Sequence, residues 1–394
     1  MDGNNRQFNQ QINPQPQYGQ YTQQGQSQGQ PQYYQQAPGQ PFDPFAMPNY
    51  AQGYPYVQQP APFDKKGAKK HFSRIGISYF LFGVVAVLVQ IILSMVVNTV
   101  NPGLWDNYLF TILAGILPMY LVGAPVCIML MKRLPSEKPG LAKWGFGRFI
   151  AVLVIALGLM YIGSYIGTVI GLLIENVAPD ATASTNAVQE MVFTGDMMIN
   201  IVIMVIIGPV VEELLFRKLL CDRLRIYGEG VTVAVAGLMF GLFHGNLTQF
   251  VYTFILGCLL SYVYLKTGRI TITIAYHIIL NFVGSVVPLL ALRASDLDGL
   301  QEVMATGDNE LLTQFITDNL ESFAVYALYS LSIIVFMALG LILLIVFLAC
   351  GKVKFRPGRL TIPKGKKFGV AIINVGMIVF ILSEIAEILI NMFA

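Results

Sequence analysis

From about residue 75 onward, long apolar runs alternate with short polar connections. The runs cover roughly 75–100, 108–131, 148–174, 196–222, 230–245, 248–266, 270–292, 323–350 and 368–393. A helix crossing a bilayer takes about 20 apolar residues. The pattern therefore predicts an all-α polytopic membrane protein with eight or nine transmembrane helices. The fifth run is short enough to be a half-helix, which is tolerated where protein rather than lipid surrounds it. Ahead of the runs, residues 1 to about 70 are rich in Gln, Pro, Tyr, Gly and Asn and then in Lys. The first 64 hold too little aliphatic surface to offset the entropy of ordering, so a disordered tail is expected. It has no apolar core before Lys65, so it does not read as a signal peptide. The organisation expected is a tail over 1–70, a helical domain over 71–350, and a basic loop with one extra helix over 351–394.

Composition sharpens this. The 394 residues are 55% hydrophobic and only 12% charged, with a mean hydropathy of +0.61. A soluble domain carries about 25% charged residues. The net charge of +3 comes from Lys and Arg gathered in short connections, which bears on orientation rather than on nucleic acid. Lys65 to Arg74, Lys132 to Arg148, Lys218 to Arg225, Lys266 with Arg269, and Lys352 to Lys367 all fall on one side of the nine-span topology. The opposite connections, notably 175–195 and 293–322, hold Asp and Glu with Arg293 as their lone base. The amino terminus is thus expected in the cytoplasm and the carboxyl terminus outside, in the plasma membrane if the source is bacterial. Cys127, Cys221, Cys258 and Cys350 lack metal or redox spacing and read as buried thiols.

Polar residues within the runs carry the chemistry. Glu212 and Glu213 lie in Gly208-Pro-Val-Val-Glu-Glu-Leu-Leu-Phe-Arg217. A charge at bilayer depth costs about 2.5–3.5 kcal/mol and needs partners or a function. Glu213 and Arg217 are four apart and share a helical face; Glu212 points about 100° away and stays available. His244 closes Phe240-Gly-Leu-Phe-His, and His277 shares a face with Asn281. At 1.5 Å per residue all reach a depth of roughly 10–20 Å, where a shared polar cavity would satisfy them together. Gly163, Gly167 and Gly171, and Gly237 with Gly241, mark faces where backbones approach closely. Glu384 and Glu387 in the last run lie about 25–30 Å along their helix, which predicts a hydrated position at the outer interface.

Glu-Glu-x-x-x-Arg at 212–217, Phe-x-x-x-His at 240–244 and His-x-x-x-Asn at 277–281, on successive spans, resemble the three motifs of the CAAX-processing and bacteriocin-processing (CPBP, Abi) intramembrane proteases. The resemblance covers about residues 190–290. It implies a CAAX-protease-like helical core and peptide-bond hydrolysis near a prenylated or otherwise hydrophobic peptide end, with Glu212 as the base. His244 would help Glu212 hold water, His277 and Asn281 would stabilise the oxyanion, and Glu213, Arg217 and Phe240 would support the site. Whether a metal takes part stays open: Glu212, His244 and His277 could ligate zinc, yet no H-E-x-x-H pair is present, and a metal-free glutamate mechanism is slightly favoured. Implied partners are membrane lipid, a membrane-associated protein or peptide substrate, and a protein partner for the tail. Two competing readings are a non-catalytic scaffold or immunity factor and a proton-coupled transporter; the latter lacks an evident inverted repeat.

Overall fold

A computed structural model describes residues 63–182, 195–294 and 297–393, and among them there are helices and connections but no strand. The tail over 1–62, with the disorder and partner expected of it, lies outside the described residues. In chain order the helices are α1 Lys65–Val100, α2 Tyr108–Met131, α3 Phe146–Val177, α4 Met197–Tyr227, α5 Glu229–Leu242, α6 Leu247–Thr267 and α7 Ile270–Ala294. They continue as α8 Leu297–Thr306, α9 Asn309–Asp318, α10 Leu320–Ala349, α11 Lys367–Ala371 and α12 Val375–Phe393. Eight of these are long and apolar enough to cross a membrane: α1 to α4, α6, α7, α10 and α12. The described helices thus form a multi-pass membrane bundle.

The fifth predicted span is the exception. α5 has 14 residues, about 21 Å at 1.5 Å per residue, against about 30 Å of hydrocarbon. It is nevertheless well enclosed: Ala236, Met239, Phe240 and Gly241 are all buried. A short helix can sit at membrane depth because protein surrounds it. The 293–322 connection contains the short helices α8 and α9. Asp308 caps α9 by accepting from the Glu310 and Leu311 N–H groups, as an N-cap aspartate should.

Close helix crossings fall where the sequence supplies glycine. A Cβ on Gly163 would come within 2.7 Å of the Tyr252 Cα, and one on Gly167 within 2.4 Å of the Thr248 carbonyl oxygen, so α3 and α6 touch backbone to backbone. Gly237 and Gly241 bring α5 equally close to α6 at Cys258 and Phe254. The terminal helices meet in the same way, where a Cβ on Gly376 would lie 1.8 Å from the Ser73 carbonyl oxygen. α12 therefore packs on α1, with Met377 and Phe380 fully buried, rather than standing beside the bundle.

The basic connections meet at one end of the bundle. Arg225 pairs with Glu137 at 2.6 Å, and the Glu137 N–H donates to the Asp222 carbonyl. Lys266 pairs with Glu229, which also accepts from the Arg356 N–H at 2.8 Å. His71 Nδ1 lies 3.0 Å from the Tyr227 hydroxyl. The segments around 71, 137, 225, 266 and 356 are thereby tied into one layer.

Candidate active site

Wide turns shape the centre of the bundle. α4 runs in π-helical turns over Ile201–Ile207 and again over Leu214–Cys221, with the regular segment Gly208–Glu213 between them. Such turns are rare and concentrate at functional positions. Pro209 explains the first. The Gly208 N–H bonds back to the Ile203 carbonyl, Pro209 has no N–H to give, and the Met204 carbonyl is left to a partner from another helix. Asn281 on α7 takes that place, its side-chain amide donating at 3.0 Å. Asn281 is thus bound to α4 and keeps its second amide hydrogen. In the second wide turn the Leu215 carbonyl accepts from the Tyr79 hydroxyl of α1 at 2.8 Å.

The adjacent acids have different surroundings. Glu213 is fully buried; its Oε2 accepts from Arg217 Nε at 3.1 Å and its Oε1 lies 3.0 Å from His277 Nδ1. A carboxylate paired with a guanidinium can only accept, so Nδ1 of His277 is the donor and its Nε2 is turned to the other acid. That Nε2 is 3.7 Å from Glu212 Oε2. Glu212 keeps 21% of its side chain exposed, and its enclosed Oε2 has no hydrogen-bond partner among the described residues.

Phe240 organises the remaining groups. The buried Arg217 guanidinium lies 4.6 Å from its ring centroid, within cation–π range. The imidazoles of His244 and His277 meet the same ring edge-on, at 4.8 and 5.7 Å. His244 Nδ1 is 2.8 Å from the Phe240 carbonyl oxygen. A carbonyl cannot donate, so Nδ1 carries the proton and Nε2 presents its lone pair. Glu212, Glu213, Arg217, Phe240, His244 and His277 therefore converge, with Asn281 at the edge of the group. Glu212, His244 and His277 do not converge tightly enough to form a three-donor metal set, and no other trio of His, Cys, Asp or Glu does so among the described residues.

Sequence reasoning missed the part α12 plays at this site. Asn391 Nδ2 donates to the Gly245 carbonyl at 2.8 Å. Gly245 sits in the left-handed region at φ +57°, and a Cβ there would fall 2.8 Å from Glu387 Oε1. The turn that follows His244 is thus held from the far end of the chain. The hydrated position expected for Glu384 is also wrong: that side chain is buried, at 6% exposure, because it lies on the face of α12 that packs against the bundle. Glu387 is exposed but lies against Gly245. Polar Asn391 and Glu387 in an apolar run were the available signal.

Residues 194–283 match the family model described as "Type II CAAX prenyl endopeptidase Rce1-like". A curated relative, "Putative membrane peptidase YdiL" of Bacillus subtilis (strain 168), is 26% identical over 102 residues, which is 25% of this chain and 40% of the relative. The chain thus spans less than half the length of that relative. No solved structure matches.

Proposed function

We propose that this chain is a member of the CAAX-processing and bacteriocin-processing family, a reading supported by the matches of its motif-bearing segment, and an intramembrane endopeptidase acting on a membrane-associated protein or peptide. The observation that carries the proposal is the asymmetry of the acids: Glu213 is fully engaged, while Glu212 Oε2 is enclosed and uncommitted, facing His277 Nε2. A carboxylate held in an enclosed, low-dielectric site and spared protein donors is suited to act as a general base.

In this mechanism Glu212 takes a proton from water, and the hydroxide oxygen bonds to the scissile carbonyl carbon. The oxyanion that forms is met by the free amide hydrogen of Asn281, a pre-set donor of the kind that stabilises such intermediates. Glu213, neutralised by Arg217, fixes the His277 tautomer and steers Nε2 to the water held by Glu212. His244, whose Nε2 lone pair is also free, borders the same cavity and can accept from the substrate N–H. When the carbon–nitrogen bond breaks, Glu212 returns its proton to the leaving amine, giving one carboxylic acid and one amine. No step is routed through a metal. In this reading the layer of basic helix ends faces the cytoplasm.

The test is a comparison of membrane and envelope peptides from cells carrying wild type or Glu212→Gln. The amide keeps the shape but cannot accept the proton, so fragments present in wild type should vanish while the protein stays at normal abundance. Identical peptide profiles from the two strains would sink the proposal.

A further inference from the structure

Basic side chains collect between α1 and α2 at one end of the bundle. A cleft of about 290 Å³ opens there, lined by Ser73, Arg74, Ile77, Leu130, Arg133 and Leu134. Arg74 and Arg133 are exposed. Buried Arg223 lies just behind, donating to the Met131 carbonyl at 2.6 Å and to the Leu219 carbonyl at 2.8 Å. Both Arg74 and Arg223 act electrostatically on His71. Among the described residues no carboxylate lies within ion-pair distance of any of these three guanidiniums. The cleft is thus positive at its mouth. Its wall is apolar through Ile77, Leu130 and Leu134. The Ser73 hydroxyl oxygen accepts from the Gly376 N–H at 3.0 Å and keeps its own O–H to donate.

Depth identifies what meets such a surface. α1 has 36 residues, about 54 Å, which exceeds the roughly 30 Å of hydrocarbon by several turns. Its charges are Lys65, Lys66, Lys69, Lys70 and Arg74, and no charged residue follows in that helix. Arg74 therefore stands on the last charged turn before the apolar stretch, at the level of lipid headgroups, and Arg133 follows the end of α2 beside it.

We propose that this cleft binds the phosphodiester headgroup of one anionic phospholipid, with Arg74 and Arg133 on the phosphate and the acyl chains running along Ile77, Leu130 and Leu134. Basic pockets between transmembrane helices recognise anionic lipids in this way, and a guanidinium fork matches phosphate geometry. The preceding tail is a poorer occupant by charge, because Asp2 and Asp43 are its only acids before residue 63. The proposal does not depend on the protease reading.

Full-length protein in detergent would be titrated with dioctanoyl phosphatidylglycerol, dioctanoyl phosphatidylcholine, inorganic phosphate or an acidic peptide, with binding read by native mass spectrometry. One phosphatidylglycerol should bind more tightly than phosphatidylcholine or phosphate. Arg74→Gln with Arg133→Gln should weaken it about thirty-fold, the loss expected for two basic side chains at an anionic surface. Lys69→Gln with Lys70→Gln removes the same charge from α1 outside the cleft and should leave binding within about two-fold. Equal losses in the two double variants would mean diffuse attraction and overturn the site, as would equal binding of the two lipids. Preferential binding of phosphate or of the acidic peptide would overturn the assignment to lipid. Both arginines are exposed, so their replacement leaves the core intact; a melting curve matching wild type verifies this.

Discussion

Replacing Arg217 tests whether the centre of the bundle is held by a compensated charge pair. Arg217 and Glu213 are both fully buried, 3.1 Å apart. Removing one partner of such a pair leaves the other charge without compensation, at a cost of about 3–5 kcal/mol. His277 still contacts Glu213, which argues for the lower end, while loss of the guanidinium over Phe240 at 4.6 Å adds up to about 2 kcal/mol. Arg217→Ala should therefore destabilise by about 3–5 kcal/mol. That is seen as reduced abundance in membranes and an apparent melting temperature in detergent well below wild type. Glu213→Gln with Arg217→Met removes both charges, keeps a carbonyl for His277 Nδ1–H, and fills most of the volume. It should recover much of the loss, since an apolar replacement of a buried pair is often close to neutral. If Arg217→Ala melts with wild type, or the double variant is no better than the single one, the pair does not hold this core and the reasoning fails.

Other consequences follow from named contacts. Gly376→Leu should force α12 away from α1, because even a Cβ there would overlap the Ser73 carbonyl; protease sensitivity and melting would both report the loss. Asn391→Ala should release the turn after His244. The sequence holds only three histidines, so ¹⁵N-histidine spectra should show His244 leaving its Nδ1–H tautomer while His71 and His277 stay unmoved. An unchanged His244 signal would mean that α12 does not position it. Cys350 is exposed while Cys127 and Cys221 are buried, so Cys350 should be the terminal-loop thiol that labels. If the basic layer is cytoplasmic, an impermeant reagent should reach Cys350 only after cells are opened, and labelling of intact cells would reverse the orientation.

The apolar run lengths alone determined a multi-pass helical bundle, because hydrocarbon thickness converts directly into residues per span. The three motifs and the Glu213–Arg217 spacing were equally legible, since i,i+4 neighbours meet on any helix. The fate of α5 was not: a run near the length limit crosses or stops short according to what surrounds it, and only packing supplies those surroundings. The division of labour between Glu212 and Glu213 was half legible. Spacing gave Glu213 its arginine, but His277 reaches both acids from a helix more than sixty residues downstream. The π-helical turns around Pro209 and the resulting hold of Asn281 on Met204 depend on backbone bonds that no periodicity encodes. The docking of Asn391 and Glu387 on Gly245 joins positions some 140 residues apart, and the buried Glu384 follows from the same packing. Depth along a helix could be counted from sequence, but whether a side chain at that depth meets water, lipid or protein is decided by the neighbouring helices.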